Sequence, residues 1–76
     1  MPRLPRVSGQ EAVRALTRLG FAHVGQRGSH LKLRKSTPAG DVKCVVPMHD
    51  ELAPGTLRGI LRQAKVTVEE FIEALQ

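Results

Sequence analysis

The chain has 76 residues, 41% of them hydrophobic, which fits one domain with one modest core and favours chemistry on an open face rather than in a deep cleft. Twelve lysines and arginines against seven acidic residues give a net charge of +5, and eight of the twelve lie in the first 40 residues, which favours a polyanionic partner such as nucleic acid. Two phenylalanines without tryptophan or tyrosine exclude the stacking platforms of typical single-strand binders, and the single Cys44 excludes an internal disulfide.

The N-terminal region divides into an arm and a helix. Residues 1–7 contain two prolines and two arginines, which predicts an extended basic arm. Ser8 and Glu11 match a capping box, in which each side chain accepts a hydrogen bond from the other residue's backbone N–H. Apolar residues at helical spacing follow, and Gly20 is suited to end a helix, so the first helix is predicted over residues 9–19.

From Phe21 onward the hydrophobic period changes to two, which indicates short strands separated by turns. Three strands are predicted, over residues 21–26, 29–35 and 42–47. The first turn is expected around Gln26 and Arg27, and a hairpin loop is expected over residues 37–41. The simplest arrangement of these strands is an antiparallel meander of three.

Two helices are predicted after the sheet. Pro54 suits the first position of a helix, where its missing N–H costs nothing, and apolar residues at helical spacing continue to Ala64. Thr67 and Glu70 form a second capping box ahead of a last helix. The order α-β-β-β-α-α predicts a single α+β domain over residues 8–76, with helices on one face of the sheet and the other face open.

The sequence contains no motif for binding a nucleotide cofactor or a metal, and no segment that could span a membrane. The glycines have neither the Walker nor the dinucleotide-binding spacing, and the histidines, His23, His30 and His49, form no ligand pair, so we expect no cofactor and no metal site. The apolar runs are too short to span a bilayer, and the first residues lack an apolar signal core. We therefore expect a cytoplasmic protein with no membrane partner.

His30 has surroundings that the other two histidines lack. In the second strand Leu31 and Leu33 point to one face, and the opposite face carries His30, Lys32 and Arg34. A histidine titrates near neutral pH and can take a proton from a hydroxyl or give one to a leaving oxygen, while neighbouring cations hold a phosphate. Metal-free cleavage of RNA through its 2′-hydroxyl requires these groups. A solvated histidine in a basic strand is the alternative reading.

Other polar residues each allow two interpretations. His49 reaches the same sheet edge as His30, or it bonds a backbone group in its loop. Cys44 alternates with valines, which favours a buried hydrophobic residue over a nucleophile. For Ser29, a hydroxyl that forms hydrogen bonds within a turn is a better interpretation than a nucleophile. A basic stripe on the helix after Pro54 either is solvated or contacts phosphates, and it consists of Arg58, Arg62 and Lys65.

An ordered set of segments resembles the HicA (YcfA-type) toxins of bacterial and archaeal toxin–antitoxin pairs. The likeness extends from about Ser8 to Leu75 and is carried by Leu-Gly-Phe at 19–21, Gln-Arg-Gly-Ser-His at 26–30, Val-Pro-Met-His at 46–49, Pro-Gly-Thr-Leu-Arg-Gly-Ile-Leu-Arg-Gln-Ala at 54–64 and Thr-Val-Glu-Glu-Phe at 67–71. The chain departs from the family at Gly25, where an arginine is frequent, so a phosphate contact is either lost or moved to Arg27.

The resemblance implies a fold like that of a double-stranded-RNA-binding domain, α-β-β-β-α with a short extra helix. It also implies an mRNA interferase, an endoribonuclease held inactive by a HicB-type antitoxin, whose essential histidine corresponds to His30. We therefore predict a metal-independent endoribonuclease that acts on mRNA. RNA-binding roles are predicted for Arg27, Ser29, Lys32, Arg34 and His49. The alternatives are a non-catalytic double-stranded-RNA-binding module and an inactive relic that keeps only antitoxin binding.

Overall fold

A computed structural model describes residues 3–76, so Met1 and Pro2 of the predicted arm lie outside the described residues. The elements in chain order are α1 (Gly9–Arg18), β1 (Ala22–Arg27), β2 (His30–Thr37), β3 (Gly40–Pro47), α2 (Pro54–Ala64) and α3 (Val68–Leu75). The strands form one antiparallel sheet in the order β1-β2-β3. This order confirms the predicted α+β class and the likeness to a double-stranded-RNA-binding domain.

Both predicted capping boxes are present. Ser8 N donates to Glu11 Oε1 at 2.9 Å, and Glu11 N donates to Ser8 Oγ at 3.0 Å. Thr67 and Glu70 repeat this arrangement at the start of α3, with distances of 2.9 and 3.1 Å. Each box satisfies two backbone N–H groups that the first turn of a helix leaves without partners. The sequence motif therefore located both helix starts correctly.

The turns between the strands differ from the prediction. The first turn consists of Gly28 and Ser29, two residues later than expected, and β1 extends through Arg27. Gly28 has a φ of 59°, which suits the first central position of a tight hairpin turn that favours glycine. The second loop is shorter than the predicted 37–41, because β2 and β3 pair as far as Thr37 opposite Gly40. This pairing leaves only Pro38 and Ala39 in the turn.

The core lies between the sheet and the three helices. Its most completely buried large side chains come from all of these elements: Leu16, Leu33, Val46, Leu57 and Phe71. No polar or charged residue among residues 3–76 is buried in it. The sheet thus has one apolar face against the helices, while its other face is left open. None of the helices in the described part of the chain has the length and apolar character needed to cross a bilayer.

The N-terminal segment packs against the end of β3. Val7 is buried in the core, and its carbonyl accepts a hydrogen bond from Leu52 N at 2.8 Å. Gly9 N donates to His49 O at 2.9 Å, and a Cβ on Gly9 would meet the carbonyl oxygen of Pro47 at only 2.1 Å. Only glycine therefore allows this approach of α1. The contact holds the start of α1 beside the chain that leaves the sheet after Pro47.

Candidate active site on the open sheet face

The predicted alternation of β2 is confirmed. Leu31 and Leu33 are buried, whereas His30, Lys32 and Arg34 are exposed. Because directly paired residues of antiparallel strands share a face, the pairing identifies the residues beside them. We call the resulting surface the open sheet face, and it comprises Ala22, Gly25 and Arg27 from β1, His30, Lys32, Arg34 and Ser36 from β2, and Asp41, Lys43, Val45 and Pro47 from β3.

His30 lies at one end of the open sheet face. It is the first residue of β2, directly after the tight turn, and it pairs with Arg27 on one side and Pro47 on the other. The carbonyl of Ser29 accepts a hydrogen bond from Met48 N at 2.6 Å, which ties the turn to the end of β3. Directly paired residues have Cβ atoms about 5 Å apart, so the Arg27 side chain starts beside the imidazole. The structure thus places Arg27, Ser29 and His30 next to one another at this end of the sheet.

Lys32 and Arg34 lie progressively farther from His30. At about 3.3 Å per residue along a strand, Lys32 starts roughly 7 Å away and Arg34 roughly 13 Å away. Lys32 pairs with Gly25, which carries no side chain and has open space beside it. Arg34 Nη1 lies 3.8 Å from Asp41 Oδ2, in an ion pair of which both side chains are about half exposed (49% and 46%). Lys32 is therefore the nearer cation to His30 and has a free approach from solvent.

An apolar patch on the open sheet face extends to Val24, which has no pairing partner on β2. Val24 is 52% exposed, because the pairing of β1 with β2 shifts between His23 and Gly25 and leaves Val24 unpaired at this bulge. A shallow depression of about 390 Å³ joins Val24 to Val45 and is bordered by three cations, Lys32, Arg34 and Lys43. Lys43 was not among the predicted site residues. The sequence alone could have identified it, because Lys43 alternates with Val42 and Cys44 and so must lie on the face of β3 opposite to the core.

His49 and His23 occupy positions different from that of His30. His49 follows Pro47 by two residues, its side chain is exposed, and its carbonyl accepts the hydrogen bond from Gly9. His23 pairs with Leu33, so it lies on the helix side of the sheet, at the outer edge where it stays exposed. The side chain of His23 is not part of the core. It therefore offers a control for His30 on the opposite face of the sheet.

The remaining candidates are resolved by burial. Cys44 is buried, and desolvation raises the pKa of its thiol to about 11, which disfavours the nucleophilic thiolate. The prediction of a small buried hydrophobic residue is confirmed. Residues 3–76 contain no group of three His, Cys, Asp or Glu side chains that could hold a metal ion. The basic stripe is exposed at all three positions: Arg58 and Arg62 lie on α2, and Lys65 follows its last residue.

Sequence reasoning missed a groove beside His30. The groove lies between the end of β3 and α2, and has a volume of about 260 Å³. Its sheet side is formed by His30, Val45 and Pro47, and its helix side by Gly55, Thr56, Gly59, Ile60 and Gln63. We call it the β3–α2 groove. No local pattern could reveal it, because it depends on how α2 packs against the edge of the sheet.

The sequence matches a family model described as the HicA toxin of bacterial toxin–antitoxin systems, over residues 9–66. The chain belongs to the HicA toxin family. The match covers α1, the sheet and α2, and therefore every residue of the open sheet face and of the β3–α2 groove. Membership in this family implies an antitoxin partner for the HicA-type chain. None of the curated proteins searched matches it.

The last helix lies beyond the matched residues of the HicA model, yet it is firmly attached. Arg18 Nη1 donates to the carbonyl oxygens of Ala74 at 2.7 Å and Gln76 at 3.0 Å. These carbonyls end α3, where a positive charge is favourable. Phe71 is fully buried in the common core. The helix α3 is thus part of the same folded unit as the residues that the family model describes.

Proposed function

We propose that this HicA-family toxin is a metal-independent endoribonuclease that cleaves mRNA in the cytoplasm, with His30 as its general acid or base. The observation that carries the proposal is the position of His30. It is exposed, it begins a strand whose outer face is cationic, and it borders the β3–α2 groove. A titratable group, phosphate-binding cations and room for a substrate therefore occur together on one surface.

The reaction needs only a proton-transfer group and a held phosphate. The 2′-oxygen of the RNA loses its proton and attacks the adjacent phosphorus, and the bond from phosphorus to the 5′-oxygen breaks. The products are a 2′,3′-cyclic phosphate and a 5′-hydroxyl, which takes up one proton. His30 either accepts the first proton or donates the second, and general acid–base catalysis of this kind contributes about 10²- to 10⁴-fold to a rate.

The residues around His30 would contact different parts of the RNA backbone. Arg27 is paired directly with His30, so it is suited to hold the reacting phosphate by two parallel hydrogen bonds. Lys32 and Arg34 continue along β2 and would contact phosphates farther along the strand. Ser29 contributes its hydroxyl at the turn. His49, two residues beyond the partner of His30 on β3, is the candidate for the second proton transfer.

The antitoxin partner is inferred to be a HicB-type protein that covers the open sheet face. No segment among residues 3–76 covers the exposed side chains of this surface, so a second protein that covers them would block the site. Charge complementarity to Arg27, Lys32 and Arg34 would speed association, and the Val24 patch supplies apolar area for a partner to bury. Binding of the antitoxin and binding of RNA would therefore exclude each other.

A pair of RNA strands tests the proposal. One strand is unmodified, and the second carries a 2′-deoxy nucleotide at the cut position. Both are incubated with purified protein in EDTA, and the ends of the products are identified by mass spectrometry. We expect cleavage of the unmodified strand to a 2′,3′-cyclic phosphate and no cleavage at the deoxy position. Activity that disappears in EDTA and returns with a divalent ion, or cleavage at the deoxy position, would contradict the mechanism.

A non-catalytic double-stranded-RNA-binding module is the second candidate. The exposed basic stripe on α2 favours it, because folds of this kind contact phosphates across the minor groove of A-form RNA. This candidate predicts RNA binding that persists while no product appears in the cleavage assay. It also predicts that loss of a cation from α2 weakens binding more than loss of Lys32 does.

A further inference from the structure

The β3–α2 groove contains two glycines that neither packing nor backbone conformation requires. Gly55 and Gly59 line it from one side of α2, and a Cβ on either glycine would meet no atom within 4 Å. Neither has a positive φ. A glycine inside a helix costs about 0.5–1 kcal/mol relative to alanine, so at Gly59 folding gives no reason for the residue. What the glycines do provide is an unobstructed groove.

The lining of the groove has both apolar and polar surface. Val45, Pro47 and Ile60 supply apolar surface, and Thr56 and Gln63 supply a hydroxyl and an amide. Gln63 Oε1 accepts a weak hydrogen bond from Val45 N at 3.4 Å, which orients the amide. The amide nitrogen of Gln63 makes no hydrogen bond to another residue among residues 3–76, so its two N–H donors remain for a ligand.

A nucleobase has the shape and chemistry that this lining selects. It is flat, with apolar faces and an edge of carbonyl and ring-nitrogen acceptors that suit the amide of Gln63. In a duplex the Watson–Crick edge of a base is already hydrogen-bonded to its partner base. An unpaired base can offer this edge to a protein side chain, and proteins recognise single-stranded RNA in this way. A volume of about 260 Å³ is large enough to hold one base. Because His30 borders the same groove, the base would belong to a nucleotide next to the cut.

We propose that the β3–α2 groove binds one unpaired base of the RNA substrate beside the bond that is cleaved, and that Gln63 selects that base. This inference rests on the proposed ribonuclease function and deepens it. It makes Gln63 a specificity-determining residue. It also makes Gly55 and Gly59 the residues that keep the base site accessible.

Filling the groove tests the inference without harming the fold. Gly59→Leu places a side chain in the groove and replaces glycine by a better helix former, so the melting temperature should not fall. Cleavage should fall by about 10- to 100-fold, which corresponds to the loss of one specific contact to a base edge. The matched comparison is Gly59→Ala, which adds only a methyl group to the groove and should therefore lose clearly less activity than Gly59→Leu. Gly59→Leu that cleaves as well as wild type would overturn the inference.

Gln63→Glu tests the selection of the base. The glutamate keeps an oxygen for the Val45 N–H but removes both amide donors. RNA with randomised nucleotides around the cut is digested, and the product ends are sequenced. We expect the base preference to change at one position next to the cut and to stay the same elsewhere. Unchanged preference at every position would contradict a role for Gln63.

A binding measurement separates this inference from the proposed function. Nucleoside 5′-monophosphates and inorganic phosphate are titrated separately into wild type and Gly59→Leu, and backbone amide shifts are followed by NMR. The nucleotides should shift the amides of Gly55, Gly59 and Gln63 in wild type only, and phosphate should not. If wild type cleaves no RNA but shows these shifts, the ribonuclease proposal fails and the base site stands. Two results would overturn the base site. One is that phosphate alone shifts these amides as much as the nucleotides do. The other is that Gly59→Leu cleaves RNA normally and loses only the binding of the antitoxin.

Discussion

The two faces of β2 have opposite chemistry within the same eight residues. Leu31 and Leu33 face the helices and are buried, whereas His30, Lys32 and Arg34 face solvent and make no contribution to the core. The buried side chains hold the sheet against the helices, and the exposed ones determine the charge of the open sheet face. Substitutions on the first face should therefore change stability, and those on the second should change activity with the fold intact.

The largest effect on stability is expected for Leu33→Ala. This side chain is 1% exposed, and truncating such a leucine leaves a cavity that costs about 2–5 kcal/mol. Lys32→Ala, one residue away on the exposed face, should change stability by about 0.5 kcal/mol or less. Chemical denaturation of both variants checks the comparison. Similar losses of stability would mean that the open face contributes to folding.

Gly9→Ala extends the comparison to the contact that fixes the end of β3. Alanine is the better helix former, yet its Cβ would lie 2.1 Å from Pro47 O, so the backbone must move. We expect a loss of about 1–3 kcal/mol, the usual cost of overpacking. Gly59→Ala, with open space around its Cβ, should instead raise the melting temperature. A Gly9→Ala variant that is as stable as wild type, or more stable, would contradict the close approach of α1 to Pro47.

Lys32 and Arg34 distinguish two positions on the open face itself. Each cation that neutralises a phosphate of single-stranded RNA steepens the salt dependence of log affinity by about 0.7. Lys32→Ala should lower the slope by about this amount, while Arg34→Ala should lower it less, because Arg34 is already paired with Asp41. RNA binding titrated at several salt concentrations measures both slopes. Affinity that does not respond to salt would rule out the cationic face as the RNA site.

The smallest effect concerns Glu70 at the start of α3. Hydrogen bonds from the Thr67 backbone and side chain lower the pKa of this carboxyl. A pKa lowered by folding adds stability that is present above the ordinary pKa of glutamate and is lost as the pH falls through the folded value. Glu70→Gln keeps the hydrogen bonds of the cap but removes the carboxylate charge. The stability of this variant should therefore fall less than that of wild type as the pH is lowered. Melting temperatures between neutral and acidic pH test this, and parallel curves would contradict it.

The comparison also shows which features the sequence could predict. Local patterns located both capping boxes, the alternation of β2 and the burial of Cys44, because each depends on residues a few positions apart. The turn at Gly28 and Ser29 was placed two residues early, because the strand pattern does not show where pairing stops. The partners of His30 on the neighbouring strands were not predictable in detail, since register is fixed by pairing across the sheet.

Tertiary packing accounts for the rest of the site. The ion pair of Arg34 with Asp41 joins two strands, and nothing in the local sequence of either indicates it. The bulge that exposes Val24 follows from a shift in pairing between β1 and β2. Gly55, Gly59 and Gln63 become candidates only because α2 packs beside Pro47 and Val45. These features depend on distances between elements, which no motif encodes.

The catalytic role of His30 is the central claim, and one measurement tests it directly. The cleavage rate of one defined RNA is measured for wild type, His30→Ala and His23→Ala, after melting curves have shown that all three are folded. Both histidines are exposed but lie on opposite faces of the sheet. We predict that His30→Ala loses about 10²-fold or more of the rate and that His23→Ala stays close to wild type. Equal rates for folded His30→Ala and wild type would contradict the account.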